Sequence, residues 1–270
     1  MLLTRHQTEP GPRWACDGFF LPPGYNLLTL LEMDRAALLD WLNAVPRDQA
    51  AAGPLLAPLD KQHEVWAAGV TYLRSRDARR AESSAANVYD KVYDAARPEL
   101  FFKSIGWRVA GHGMPIRIRR DSRWNVPEPE LTILVNRHGE IVGYTAGDDV
   151  SSRDIEGENP LYLPQAKVYN GSCALGPGIV LARVDEMLAL PVHLEIARNG
   201  ATAFRGETSI ARMKRPLQEL VDYLVRELEF PHGVFLMTGT GIVPGEDFSL
   251  QAGDAVRIAV GELTLENTVS

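Results

Sequence analysis

Cysteine is almost absent: Cys16 and Cys173 are the only two in 270 residues, far apart and in no CxxC or Cys/His cluster, so neither a disulfide framework nor a structural zinc site is expected. Blocks of one charge are missing too. The formal charge is −7, and the basic stretches Arg79-Arg80 and Arg117-Ile118-Arg119-Arg120 are short and broken. A general nucleic-acid binder, which draws its affinity from many phosphate contacts, is thereby disfavoured. No apolar run approaches the roughly 20 residues that span a bilayer, and no N-terminal run joins a basic start to an apolar core and a small-residue cleavage site. The expectation is a cytoplasmic protein with no membrane partner. There is no internal repeat and no low-complexity tract. Thr238-Gly239-Thr240-Gly241 could bring backbone amides and hydroxyls close to an anion, but it lacks the lysine of a phosphate-binding P-loop.

Present instead is enough apolar material for a full core: 45% of residues are hydrophobic and 23% charged. A helical period over 34–45 lies in a small N-terminal domain, residues 1–60, and the linker-like run 49–54 leads to the main domain, residues 61–270. That domain reads mostly as strands, at 64–70, 100–103, 115–118, 131–135, 141–145, 178–182, 193–197, 202–205, 234–237, 253–260 and 261–267, with an amphipathic helix over 216–227. The fold class is α+β, mostly β. Residues 72–97 are charge-rich and helix-prone, which fits either a solvated helix or a segment covering a substrate.

The chemistry gathers around one hairpin. The β-branched runs 131–135 and 141–145 flank Asn136-Arg137-His138-Gly139-Glu140, where Gly139 can take a positive φ. If His138 and Gly139 are the central turn residues, Glu128 falls opposite Asp149 and Glu130 opposite Gly147. Glu128 and Glu130, two apart on an extended segment, then share a face with Asp149. Like charges so placed repel unless one takes a proton or a hard cation lies between them, and Mg²⁺ or Mn²⁺ suits an all-oxygen set. Glu-x-Glu alone is more often a solvated acidic rim; the opposed Asp149 argues for a site. Pro127 and Pro129 rigidify the segment and predict an irregular or edge strand. Lys167, hemmed by apolar residues, suits an anionic substrate or a proton transfer. His112 reads as a loop residue.

Pro127-Glu128-Pro129-Glu130-Leu131, the run from Gly147 to Asp154, Lys167, Thr238-Gly239-Thr240 and Gly253-Asp254 together resemble the fumarylacetoacetate hydrolase family over residues 64–267. The resemblance implies a mixed β-roll or sandwich catalytic domain, a homodimer, and a divalent cation on Glu128, Glu130 and Asp149. It also implies that Ser75, Arg76, Lys167 and Thr240 face the substrate. Members that hydrolyse or decarboxylate often carry a histidine six residues after the glycine matching Gly69 and a glutamate three further on, where this chain has Ser75 and Ala78. Without that water-activating pair, elimination is favoured over C–C hydrolysis. The runs 69–79 and 154–167 are most similar to the family's 2-keto-3-deoxy sugar-acid dehydratases.

The resulting expectation is Mg²⁺-dependent dehydration of a 2-keto-3-deoxy-pentonate, of the D-arabinonate or D-xylonate type, to 2,5-dioxopentanoate through a metal-stabilised enolate, with Lys167 and Glu156 as acid–base candidates. A C–C bond hydrolase of acylpyruvates or 2,4-diketo-3-deoxy sugar acids is the alternative enzyme. A non-catalytic sugar-acid binding protein is the alternative of another class.

Overall fold

The computed structural model describes residues 1–75, 77 and 91–270. Fifteen strands form among them: β1 (Leu2–Thr8), β2 (Gly11–Cys16), β3 (Phe19–Phe20), β4 (Glu64–Gly69), β5 (Glu99–Ile105), β6 (Asn125–Val126), β7 (Pro129–Val135), β8 (Ile141–Asp149), β9 (Ser151–Ser152), β10 (Cys173–Leu181), β11 (Pro191–Arg198), β12 (Ala201–Ser209), β13 (Val234–Met237), β14 (Ala255–Val260) and β15 (Leu263–Thr268). Nine make one sheet in the order β3-β2-β1-β10-β8-β7-β13-β4-β5, antiparallel except for β13 beside β4. A four-stranded sheet, β12-β11-β14-β15, and the short ribbon β6-β9 complete the set. The mixed, mostly β architecture agrees with the sequence reading.

β7 and β8 lie in the middle of the large sheet and are buried along their whole length. Their apolar runs serve two cores. Leu131, Ile133 and Val135 pack with Leu194, Ile258 and Leu265 of the four-stranded sheet and with Leu220 and Leu224 of the helix Leu217–Leu224. Leu134 and Val142 pack instead with Phe235, Val65 and the N-terminal Leu27, Leu30, Leu38 and Leu42. A strand covered on both faces needs apolar residues at successive positions, which is why 131–135 shows no alternation.

The N-terminal 60 residues extend this architecture. β1 pairs with β10, and the helices Leu27–Leu30 and Arg35–Ala44 lie against the second core. The longer helix begins where Asp34 accepts a bond from the Ala37 amide at 2.8 Å, satisfying one of the free amides of its first turn.

Two expectations need correction. β7 is a central strand, paired on both sides, and not an edge strand. Pro129 is tolerated because it occupies the first position, before the β13 pairing that starts at Thr132. Residues 115–118 form no strand; Ile116 makes only an isolated bridge to Val269, because Met114 to Ile116 are held as a loop by Asn267 and the C-terminal backbone. Most of the helical reading over 72–97 lies outside the described residues. Its described end is held by the Arg215 guanidinium, which donates to the carbonyls of Val92, Ala95 and Ala96 at 3.2, 2.7 and 3.3 Å.

Candidate active site

The site begins with the β7–β8 turn. The Gly139 amide donates to the Asn136 carbonyl at 3.1 Å, so Arg137 and His138 are the central residues and Gly139, at φ +76°, follows them. The Asn136 side chain accepts from the amides of His138 and Glu140 and donates to the Met33 carbonyl, pinning the turn to the N-terminal segment. The turn is therefore one residue off the sequence reading. Moving the turn by one residue shifts the facing pairs by two, and two extra residues restore them: Gly139, since the Asn136 amide donates to the Glu140 carbonyl, and Val142, bulged opposite Leu134/Val135. Glu130 therefore does face Gly147, and the Asp149 amide donates to the Glu128 carbonyl at 3.0 Å. The expected register holds at the site because two irregularities compensate.

Three carboxylates meet there. Glu128, Glu130 and Asp149 are 4%, 2% and 1% exposed, and one oxygen from each lies within 4.8 Å of the others. Every side of the cluster is held. Arg153 pairs with Glu128 Oε1 at 2.9 Å, and Lys167 Nζ reaches Glu128 Oε2 at 2.8 Å, Asp149 Oδ2 at 3.0 Å and Ser151 Oγ at 2.6 Å. Lys103 pairs with Asp149 Oδ1 at 2.5 Å. The Gly239 amide donates to Glu130 Oε2 at 2.6 Å. That approach requires a glycine: its φ is +91°, and a Cβ there would lie 2.1 Å from Thr71 Oγ1.

With Asp148 counted, four buried carboxyl groups face the three cations Lys103, Arg153 and Lys167. Burial, then Asp149 and Glu128, push the Glu130 carboxyl well above the usual carboxylate range. Burial and Asp149 push Asp148, behind the trio and accepting from the Glu128 amide at 3.1 Å, up to about 8. A hard dication fits this donor set. To share one ion the three carboxylates would draw closer together than the 4.8 Å within which their oxygens lie.

A cleft opens beside the trio, lined by Gly69, Ser75, Glu99, Phe101, Glu156, Lys167 and Thr240 among others. The structure thus gathers Ser75, Glu156, Lys167 and Thr240 at one place. Ser75 Oγ donates to the Tyr72 carbonyl at 2.8 Å, and Thr240 Oγ1 to the Ile242 carbonyl at 3.1 Å. Glu156 comes from the helix Arg153–Glu158 and Lys167 ends the helix Leu163–Lys167. Arg76, Ala78 and Glu82 lie outside the described residues. His112 is a loop residue whose Nδ1 accepts the Glu266 amide.

Sequence reasoning passed over Lys103, Arg153, Asp148 and Glu99. Lys103 left one signal, its place at the end of the apolar run 100–103, whereas the burial of Arg153 is visible only in the structure. Glu99 left none, since only the β4–β5 pairing that sets it against Gly69 brings it to the cleft.

Comparison with known proteins agrees with this geometry. Residues 64–270 match the family model described as fumarylacetoacetate (FAA) hydrolase C-terminal. The chain is 41% identical over 235 residues to 2-dehydro-3-deoxy-D-arabinonate dehydratase of Saccharolobus solfataricus, covering 85% of this chain and 78% of that one. It is 49% identical over 215 residues to the probable 2-keto-3-deoxyxylonate dehydratase of Haloferax volcanii, covering 79% and 74%. A solved 2-keto-3-deoxy-D-arabinonate dehydratase complexed with magnesium and 2,5-dioxopentanoate superposes over 100% of this chain and 99% of that one, with TM-score 0.80 and 34% identity. By fold, by the matched span and by these relatives, the chain belongs to the fumarylacetoacetate hydrolase family.

Proposed function

We propose that the protein is a Mg²⁺-dependent dehydratase converting a 2-keto-3-deoxy-pentonate to 2,5-dioxopentanoate, with Glu128, Glu130 and Asp149 as the cation's protein ligands. The observation that carries this reading is the buried, oxygen-only trio beside Lys167, in a fold that superposes on a dehydratase holding magnesium and that product. When bound, the cation supplies Lewis-acid stabilisation of the charge that develops at the 2-oxo oxygen, which acidifies C3.

The chain's own residues do the rest. Lys167 and Glu156 are the proton-moving pair, one taking a C3 proton and the other protonating the departing C4 hydroxyl. Loss of water leaves a C3–C4 double bond; one C5 proton and the C5 hydroxyl proton must then leave as two protons arrive, one at C3 and one at C4, to give the 5-aldehyde. Ser75, Arg76 and Thr240 are assigned to substrate binding, Ser75 and Thr240 from their place on the cleft wall. Burial of the trio and of Lys167 limits water around the reacting carbons, which favours elimination over hydrolysis. A homodimer, and a division into residues 1–60 and 61–270, belong to the same proposal.

The test is product analysis over a panel of 2-keto-3-deoxy-pentonates and acylpyruvates, with Mg²⁺, with Mn²⁺ and with EDTA. The proposal expects chelator-sensitive formation of 2,5-dioxopentanoate and slow or no acylpyruvate cleavage. Faster release of pyruvate from acylpyruvates would transfer the assignment to the C–C hydrolases.

A further inference from the structure

Lys103 is wholly buried, with 0% of its side chain exposed, and it comes from β5, the outermost strand of the large sheet on that side. Its ammonium group makes two hydrogen bonds and one ion pair, all to elements outside its own ladder. It pairs with Asp149 Oδ1 at 2.5 Å and donates to the Val150 carbonyl at 3.1 Å and the Lys167 carbonyl at 2.6 Å. Among the described residues β5 is hydrogen-bonded only to β4, whereas Asp149 ends β8 and Lys167 ends the helix Leu163–Lys167. Sheet pairing does not impose these three contacts.

Burying a lysine costs several kcal/mol before its partners compensate, and an apolar side chain would fill such a space at less cost. A residue kept there despite that cost, touching one metal-ligand carboxylate and the backbone of the cleft lysine, ties two parts of the site into one frame. The consequence for Asp149 is specific. The Lys103 ion pair draws Oδ1 to one side and so restrains rotation of the carboxylate, and Oδ2 is the oxygen that accepts from Lys167. For Lys167, the bond to its carbonyl, shared with Ser172 Oγ at 2.8 Å, fixes where the helix ends and so where Nζ begins its reach.

We infer that Lys103 is a positioning residue that holds Asp149 and Lys167 in fixed relation, setting both the affinity of the cation site and the rate of proton transfer. This role rests on the reading of Glu128, Glu130 and Asp149 as the cation's ligands. Partners that orient metal ligands typically contribute about 10–100-fold in affinity or activity, and misplacement of a reacting group by about 1 Å costs on the order of 100-fold in rate.

The experiment compares wild type with Lys103→Met, which keeps an unbranched chain one atom shorter and loses the charge and donors. Mg²⁺ binding is measured calorimetrically, melting temperature with and without Mg²⁺, and kcat and KM on a 2-keto-3-deoxy-pentonate. The expected result is Mg²⁺ affinity weakened by about tenfold or more, a smaller Mg²⁺-induced rise in melting temperature, and kcat lowered by about 100-fold at saturating Mg²⁺. A variant with a lower melting temperature but Mg²⁺ affinity and kcat within about threefold of wild type would overturn the role, because bulk stabilisation alone predicts that pattern. Should the methionine variant not fold, Lys103→Gln, which retains a donor for the carbonyls but no charge, is held to the same two readouts. Wild-type protein that binds no Mg²⁺ would overturn the ligand assignment itself, whereas wild-type binding with an unchanged variant overturns only Lys103.

Discussion

Replacing Glu130 by Gln separates what the trio does to the fold from what it does for the cation. The amide oxygen of Gln can still accept the Gly239 N–H, so the local backbone keeps its bond. What changes is one negative charge among three carboxylates whose oxygens lie within 4.8 Å. At an effective dielectric near 20, a charge pair at that distance is worth on the order of 3 kcal/mol. Lys167 offsets part of this, leaving a net relief of about 1–3 kcal/mol when no cation is bound. At about 2 °C per kcal/mol for a chain of this size, the variant in EDTA should melt about 2–6 °C above wild type. With Mg²⁺ the order reverses, because a lost ligand removes most of the linkage stabilisation. Turnover should fall by about 100-fold or more, the rate equivalent of roughly 3 kcal/mol of lost electrostatic stabilisation. Scanning calorimetry with EDTA and with saturating Mg²⁺, beside a turnover assay, reads all three. A variant that melts lower than wild type in EDTA, still responds to Mg²⁺ and turns over fully would refute the reasoning.

Other substitutions probe separate links. Gly239→Ala places a Cβ 2.1 Å from Thr71 Oγ1 at a φ of +91°, and urea unfolding should show a loss of about 2 kcal/mol or more; an unchanged midpoint would count against the close approach. Gly69→Ala meets only the flexible Glu99 carboxylate, at 2.0 Å from Oε2, so stability should stay within about 1 kcal/mol while kcat/KM drops; full activity would remove Glu99 from the cleft's chemistry. His63 is 1% exposed, takes the Asp60 amide on Nδ1 and faces the His232 carbonyl with Nε2; burial lowers it to about 4. Its folded pKa lies below the unfolded 6.5, so the unfolded chain binds the proton first and stability is lost as pH falls from about 6.5 through 4, by about 3 kcal/mol. Denaturation at pH 7 and pH 4 should show that extra loss in wild type and not in His63→Gln; equal acid sensitivity of the two would contradict it.

Many strands of the main domain were legible because the pattern of β-branched runs and turn residues is local, and the tail shows it: the runs 253–260 and 261–267 fold as the antiparallel pair β14 and β15, whereas β1–β3 were not foreseen. The site was legible for a related reason, since Glu128, Glu130 and Asp149 are joined by one hairpin whose register can be counted. The count succeeded through a cancellation the sequence did not announce, a turn centred one residue earlier offset by two extra residues, Gly139 and the bulged Val142. Lys103 and Glu99 escaped because they reach the cleft from β5 by pairings distant in sequence. Pro129 misled because a proline at the first position of a strand costs no ladder bond, so its presence does not mark an edge, and Pro127 lies between β6 and β7 in no strand.

The cation site can be tested most directly by diffraction from crystals soaked in Mn²⁺ in place of Mg²⁺, measured for anomalous scattering at the manganese edge. The account predicts one strong peak per chain, about 2.1–2.2 Å from one oxygen each of Glu128, Glu130 and Asp149, abolished by EDTA and by Glu130→Gln. No peak there at saturating Mn²⁺, or a peak that leaves one of the three carboxylates uncoordinated, would contradict it.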